Sequence, residues 1–156
     1  MTNPLLCNPE AGVCELPEVA ASETVHTSEA MQATPVKIIY FTDPICSSCW
    51  GIEPQLRKLK LEYGHLLEIE YKMGGLLPSW DVYNSGGISK PADVAQHWDE
   101  VSKYYQMPID GNVWLTDSLS SSYPPSIAFK AAELQDKEKA QLFMRKLREM
   151  VFIENK

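Results

Sequence analysis

A chain of 156 residues is long enough for one domain with a sizeable core. Its formal charge of −7 argues against nucleic acid or an anionic membrane as partner, and no run approaches the ~20 apolar residues that a membrane helix requires. The charge is uneven: residues 1–35 carry Glu10, Glu15, Glu18, Glu23 and Glu29 with no Lys or Arg, so the remainder is near neutral.

Residues 1–35 are rich in Pro, Ala, Thr, Ser and Glu and hold no sustained helical or strand period, which predicts a disordered acidic leader. The start lacks the basic n-region and apolar core of a secretory signal, so the expected location is the cytoplasm, where stable structural disulfides are uncommon. Cys7 and Cys14 lie in this leader among the turn residues Pro9, Gly12 and Pro17. Three readings of them stay open: two exposed thiols without function, an accessory redox pair, or half of a four-thiolate zinc site with Cys46 and Cys49. Structural zinc favours two tight knuckles spaced C-x₂₋₄-C, and here only Cys46 and Cys49 have that spacing.

Val36 to Phe41 is an apolar, β-branched and aromatic run that suits a buried strand. Thr42-Asp43-Pro44 breaks it and Cys46-Ser47-Ser48-Cys49 follows at once. From Cys49 the apolar residues Ile52, Leu56, Leu59 and Tyr63 recur at helical spacing until Gly64 supplies a stop. Cys46 therefore falls at a helix N-terminus, where unpaired backbone N–H groups and the helix dipole favour a thiolate below the free value of ~8.5. Cys49, one turn in, is placed to resolve a mixed disulfide formed at Cys46. Ser47 and Ser48 carry no cation and add hydrogen bonds at most, so a moderate thiolate is expected. The alternative for the two thiols is simple core packing, which gives no reason for this spacing. Glu53 is either a proton relay to Cys49 or a surface carboxylate in the first helical turn.

Leu66 to Met73 alternates apolar and charged positions and predicts a half-exposed strand, completing a right-handed βαβ unit with parallel pairing. Gly74-Gly75 ends it; it is a strand terminus, not a nucleotide motif. Leu76 to Ser89 reads as a loop whose Trp80 and Tyr83 either line a substrate groove or pack the loop. Pro91 opens a helix with Val94, Trp98, Val101 and Tyr105 as its apolar stripe, and His97 beside that stripe reads as structural or solvated. Met107 to Pro125 is irregular, with Pro108, Gly111 and Pro124-Pro125 as breakers. One helix is predicted from Ser126 through Leu134. The last begins near Asp136 with Phe143, Leu147, Met150 and Val151 on its apolar face and Arg145, Lys146 and Arg148 solvated.

The segment Asp43-Pro44-Ile45-Cys46-Ser47-Ser48-Cys49-Trp50-Gly51 after a strand resembles the active-site segment of DsbA-like thioredoxin-fold proteins. Pro54, five residues after the second cysteine, is similar to the kinking proline of thioredoxin-type helices. Met73-Gly74-Gly75-Leu76 and Tyr123-Pro124-Pro125-Ser126 also fit that family. Asp110-Gly111-Asn112-Val113-Trp114 resembles the dithiol isomerase branch that includes the YjbH/SpxH protease adaptors. The resemblance covers residues 36–156. It implies an α/β fold class, with a thioredoxin-like βαβ unit, a DsbA-type helical insertion and the C-terminal ββα half missing. After Lys137 no strand-like run and no proline follow, so no cis-proline loop can be assigned opposite the cysteines. An exposed sheet edge is then expected, with low stability or a homodimer that covers it.

The resemblance implies a thiol–disulfide oxidoreductase or isomerase acting on protein thiols and disulfides, with Cys46 as nucleophile and Cys49 as resolving thiol. Pro44, Ser47, Ser48 and Trp50 are the supporting or substrate-facing candidates. No cofactor beyond the dithiol is expected, zinc aside. The alternative is an adaptor that binds a client for proteolysis, its thiols serving at most as a redox sensor.

Overall fold

The computed structural model describes residues 6–8, 13–15, 34–83 and 86–156. The chain divides into two units, Met1–Gln32 and Ala33–Lys156. In the first, Leu6–Asn8 (β1) and Val13–Glu15 (β2) pair antiparallel, with Cys7 opposite Cys14 in the register. The expectation of a disordered leader otherwise falls outside the described residues.

The second unit opens with Val36–Thr42 (β3), continues through Ser47–Gly51 (α1) and Glu53–Tyr63 (α2), and after a 3₁₀ turn at Gly64–Leu66 returns as Leu67–Met73 (β4). β3 and β4 run parallel, Val36 opposite Leu67 and Thr42 opposite Met73, as a helical crossover between strands requires. Because side chains alternate across a strand, Ile38, Tyr40 and Thr42 share one face with Ile69, Tyr71 and Met73. That face carries a core of Tyr71, Phe129, Ala140 and Met144. The helix after the cysteines is divided, not continuous. Pro54 has no N–H to give and sits in the first turn of α2, so the ladder is interrupted at Ile52.

The remaining helices are Pro91–Tyr105 (α3), Val113–Thr116 (α4), Tyr123–Gln135 (α5) and Lys137–Phe152 (α6). Val94, Trp98 and Val101 of α3 are buried, as their spacing predicts, in a second core with Trp50, Trp114 and Phe152. Its centre is aromatic: Trp98 lies 4.4 Å from Phe152 and 5.2 Å from Trp114 between ring centroids, the latter pair edge to face.

β3, expected as a buried strand, is covered on one face only and leaves Val36, Ile39 and Phe41 exposed, and the helices depart from expectation as well. The stretch from Met107 to Pro125 contains α4, a single turn too short to leave a period in the sequence. Pro124 and Pro125 do not break α5 but begin it, where their missing N–H groups have no partner to lose. In α6 the buried residues are Ala140, Met144, Arg148, Val151 and Phe152, while Phe143 is exposed. The basic residue Arg148, read as solvated, is 1% exposed.

Candidate functional site

The end of β3 and the start of α1 form one hydrogen-bonded turn. Asp43 is buried and its carboxylate is used twice, Oδ1 accepting the Ile45 N–H at 3.1 Å and Oδ2 the Leu76 N–H at 2.9 Å. The Thr42 carbonyl accepts the Gly74 N–H at 2.7 Å. The turn is thereby fixed to the chain leaving β4. Pro44 and Ile45 are buried beneath it. Cys46 takes the N-cap position of α1 in extended conformation, and its Sγ accepts the Cys49 N–H at 3.3 Å. That is the capping geometry by which a side chain satisfies an otherwise unpaired helix donor. At Gly51 an added Cβ would meet the Tyr105 ring at 2.5 Å, so the backbone of α1 lies directly on α3.

Both thiols are free and half-buried. Cys46 Sγ meets the Cys49 backbone N–H, and each thiol shifts the other's ionisation, so they titrate as a pair. The Cys49 thiol is held down to about 5, first by the hydrogen bond from Cys46, then by the Thr42 hydroxyl, the charge of Arg148 and the Asp43 backbone, against desolvation. Cys46 is pushed up, by its bond to Cys49 first and by burial second. The pair thus gives up one proton far below the ordinary thiol value and keeps the other. The negative charge belongs to the pair, with the Cys49 N–H donating to Cys46 Sγ and Thr42 and Arg148 favouring charge on Cys49.

Beneath the turn lies an ion pair that the sequence reading did not assign. The Arg148 guanidinium reaches Glu53 Oε2 at 3.0 Å through Nη1, and Thr42 Oγ1 at 2.6 Å and the Asp43 carbonyl at 3.2 Å through Nη2. Glu53, offered as either relay or surface carboxylate, has a side chain only 15% exposed and pairs with a cation instead. A signal for Arg148 existed: it falls in register with Ala140, Met144 and Val151, and a charge inside an apolar stripe announces a buried partner.

Above the turn, a cavity of about 190 Å³ opens beside Cys46. Ser47, Ser48, Trp80, Tyr83, His97 and Trp114 are among its walls. Trp80 and Tyr83 are thus groove residues as well as loop packing, with Trp80 anchored by its indole N–H on the Leu119 carbonyl at 2.9 Å. The exposed His97 borders the same cavity. Trp50, a candidate for the substrate surface, is buried elsewhere. It stacks on Phe152 at 5.9 Å and donates Nε1–H to the Pro108 carbonyl at 3.0 Å, so it supports α1 from behind. Among the described residues no cluster of His, Cys, Asp and Glu is placed to hold a metal ion. The suggested zinc site with Cys7 and Cys14 lies outside the residues whose side chains are described.

The thioredoxin family matches residues 40–156. The protein named ClpXP adapter protein SpxH in Halalkalibacterium halodurans is 39% identical over 149 residues, 94% of this chain and 47% of that protein. Its namesake in Shouchella clausii is 36% identical, over 95% of this chain and 46% of that protein. The chain spans about half the length of the curated relatives it matches. Among solved structures, the cytosolic disulfide reductase DsbM from Pseudomonas aeruginosa superposes with a TM-score of 0.60 at 21% identity, covering 78% of this chain and 57% of that one. That likeness is one of fold. The chain belongs to the thioredoxin family.

Proposed function

We propose that the chain is a protein-binding adapter that presents a client for proteolysis, with the Cys46–Cys49 dithiol as its redox-responsive element. This reverses the order in which the sequence ranked adapter and enzyme. The observation that carries it is the similarity, across nearly the whole chain, to proteins named as ClpXP adapters. The aromatic-walled cavity beside Cys46 supports it, since an apolar recess rimmed by polar groups suits a protruding side chain of a protein partner. The reading implies a cytoplasmic location and needs no cofactor beyond the dithiol. Among the described residues no helix is long and apolar enough to cross a membrane.

A second reading, thiol–disulfide exchange with protein substrates, is favoured by one observation: two free thiols are coupled at the start of a helix, and one of them, Cys46, borders an open cavity. In that cycle Cys46, ionised by passing its proton across to Cys49, attacks one sulfur of a client disulfide. A bond to Cys46 forms as the client S–S bond breaks, and the first client sulfur leaves as a thiolate. Cys49, deprotonated in turn, attacks Cys46 Sγ, closes the intramolecular disulfide and releases the second client thiolate. Two electrons pass to the client, and its two sulfurs take up the one proton the pair had kept and one from solvent.

One experiment separates the readings. Client turnover is followed in cells that contain ClpXP, with the chain or its Cys46→Ser/Cys49→Ser variant supplied, and insulin reduction is assayed with the same proteins. Chain-dependent turnover that survives in the variant, with no catalysed insulin reduction, is the result expected of an adapter. Insulin reduction that is lost in the variant, with no effect on turnover, overturns it in favour of the exchange enzyme.

A further inference from the structure

Arg148 is the one buried cationic side chain among the described residues, and it reaches the dithiol turn from the far end of the insertion. A guanidinium only donates hydrogen bonds. Thr42 Oγ1, 2.6 Å from Nη2, must therefore accept from Arg148, which leaves the hydroxyl proton free to point away from the cation. Thr42 and the Arg148 charge both act to hold the Cys49 thiol down. The Asp43 carbonyl is shared in the same way, taking Arg148 Nη2 at 3.2 Å and the Cys46 N–H at 3.3 Å. One cation thus orients a donor toward one cysteine and polarises the carbonyl that anchors the other.

Its neighbours set how much of this charge is felt. Glu53 of α2 faces Arg148 directly at 3.0 Å and offsets part of it. The Asp43 carboxylate is occupied by two backbone N–H groups. Tyr40 and Tyr71 face the region from the sheet, both held neutral by burial, with their acid dissociation pushed up to about 12. His97 borders Cys46 from across the cavity. Arg148 Nε is buried without a partner among the described residues, so α6 bears a desolvation cost that the bonds to Glu53, Thr42 and Asp43 offset.

We propose that Arg148 is a positioning residue of the dithiol, acting through the Thr42 hydroxyl to hold negative charge on the sulfur pair, with Glu53 as the counterweight that moderates it. The inference rests on the reading of Cys46 and Cys49 as a redox-responsive pair. It links the helical insertion to the redox turn: any partner that shifts α6 relative to β3 shifts the dithiol with it.

The test uses the full chain with Cys7 and Cys14 replaced by serine. Thiolate absorbance against pH gives the midpoint at which the reduced pair ionises, and equilibration in glutathione buffers gives its reduction potential. Arg148→Met raises the midpoint by about one pH unit or more and makes the couple more reducing, since an opposite charge at close range shifts a titration by ~1–3 units. Thr42→Val, which keeps the shape and removes the hydroxyl, raises it less. Glu53→Gln moves it the other way, to lower pH and a more oxidising couple. Arg148→Lys, keeping the charge without the fork, falls between wild type and Arg148→Met. A merely structural ion pair would move Thr42→Val and Glu53→Gln in the same direction or leave both unchanged, and either result overturns the proposal. Should Arg148→Met fail to fold, those two variants carry the test. A wild-type chain with no reversible couple sinks the redox reading, while the pH midpoints still decide the role of Arg148.

Discussion

A proton shared between Cys46 and Cys49 makes the stability of the reduced protein depend on pH in a way the oxidised protein cannot. Cys49 titrates near 5 in the folded state and near the ordinary thiol value of ~8.5 when unfolded. Between those values the unfolded chain binds a proton that the folded chain does not, so reduced-state stability rises with pH. The contribution is complete above the unfolded thiol value and is lost as pH falls through about 5. Cys46 acts oppositely: its raised folded value means that above ~8.5 the unfolded state sheds a proton the folded state keeps, and the gain turns over. Melting temperatures of reduced and oxidised protein, measured in parallel, cancel every other titrating group. Their difference should shift in favour of the reduced form from pH 5 to about 8.5 and fall back above it. A difference flat across that range would mean that the two thiols do not share charge.

At the level of elements, the dithiol turn is held by packing from behind as much as by its own capping. Helix α1 is only five residues, too short to persist alone, and its position depends on α3 beneath it and on Trp50 against Phe152. Gly51 is where the two helices meet. A methyl group there overlaps Cβ, Cγ and Cδ2 of Tyr105, atoms near the root of a side chain that cannot swing clear. Gly51→Ala should cost about 1–3 kcal/mol by overpacking, read as a lower denaturant midpoint with an unchanged slope. Tyr105→Ala in the same chain should recover part of that loss, the sign of a direct contact. The strand, the cysteine turn and the α3 stripe were legible in sequence because each is written in a local period punctuated by Pro or Gly. The buried face of α6 was not. Two stripes compete on that helix, one through Phe143 and Leu147 and one through Ala140, Met144 and Arg148. The second is buried because Thr42, Asp43 and Glu53 converge on the guanidinium, a contact more than ninety positions distant in the chain.

Over the whole molecule, the second unit is covered on one side and open on the other. The inner face of β3 and β4 is closed by α5 and α6, while Lys37, Ile39 and Phe41 point outward with Glu68, Glu70 and Lys72 opposite. Ile39 is 53% and Phe41 70% exposed, unusual values for large apolar residues within a β-strand. Lys37 pairs with Glu70 at 2.8 Å across the same face, so the apolar side chains are edged by charge but not covered by it. Among the described residues β3 and β4 pair only with each other, and each leaves one edge unsatisfied. Such an edge templates further strand pairing, and an apolar face beside it strengthens the association. The chain of 156 residues should therefore bind a hydrophobic dye in its native state and self-associate as its concentration rises. Ile39→Lys with Phe41→Lys leaves the covered face untouched, since both side chains point away from it. The double variant should lose most of the dye fluorescence and sediment as a monomer over a wider concentration range, with a far-ultraviolet spectrum like that of the parent. If the dye signal persists, the sticky surface lies elsewhere. The stripe on α5 formed by Ile127 and Leu134 beside Gly75 is then the next face to change, because it is the other large apolar area bordering the sheet.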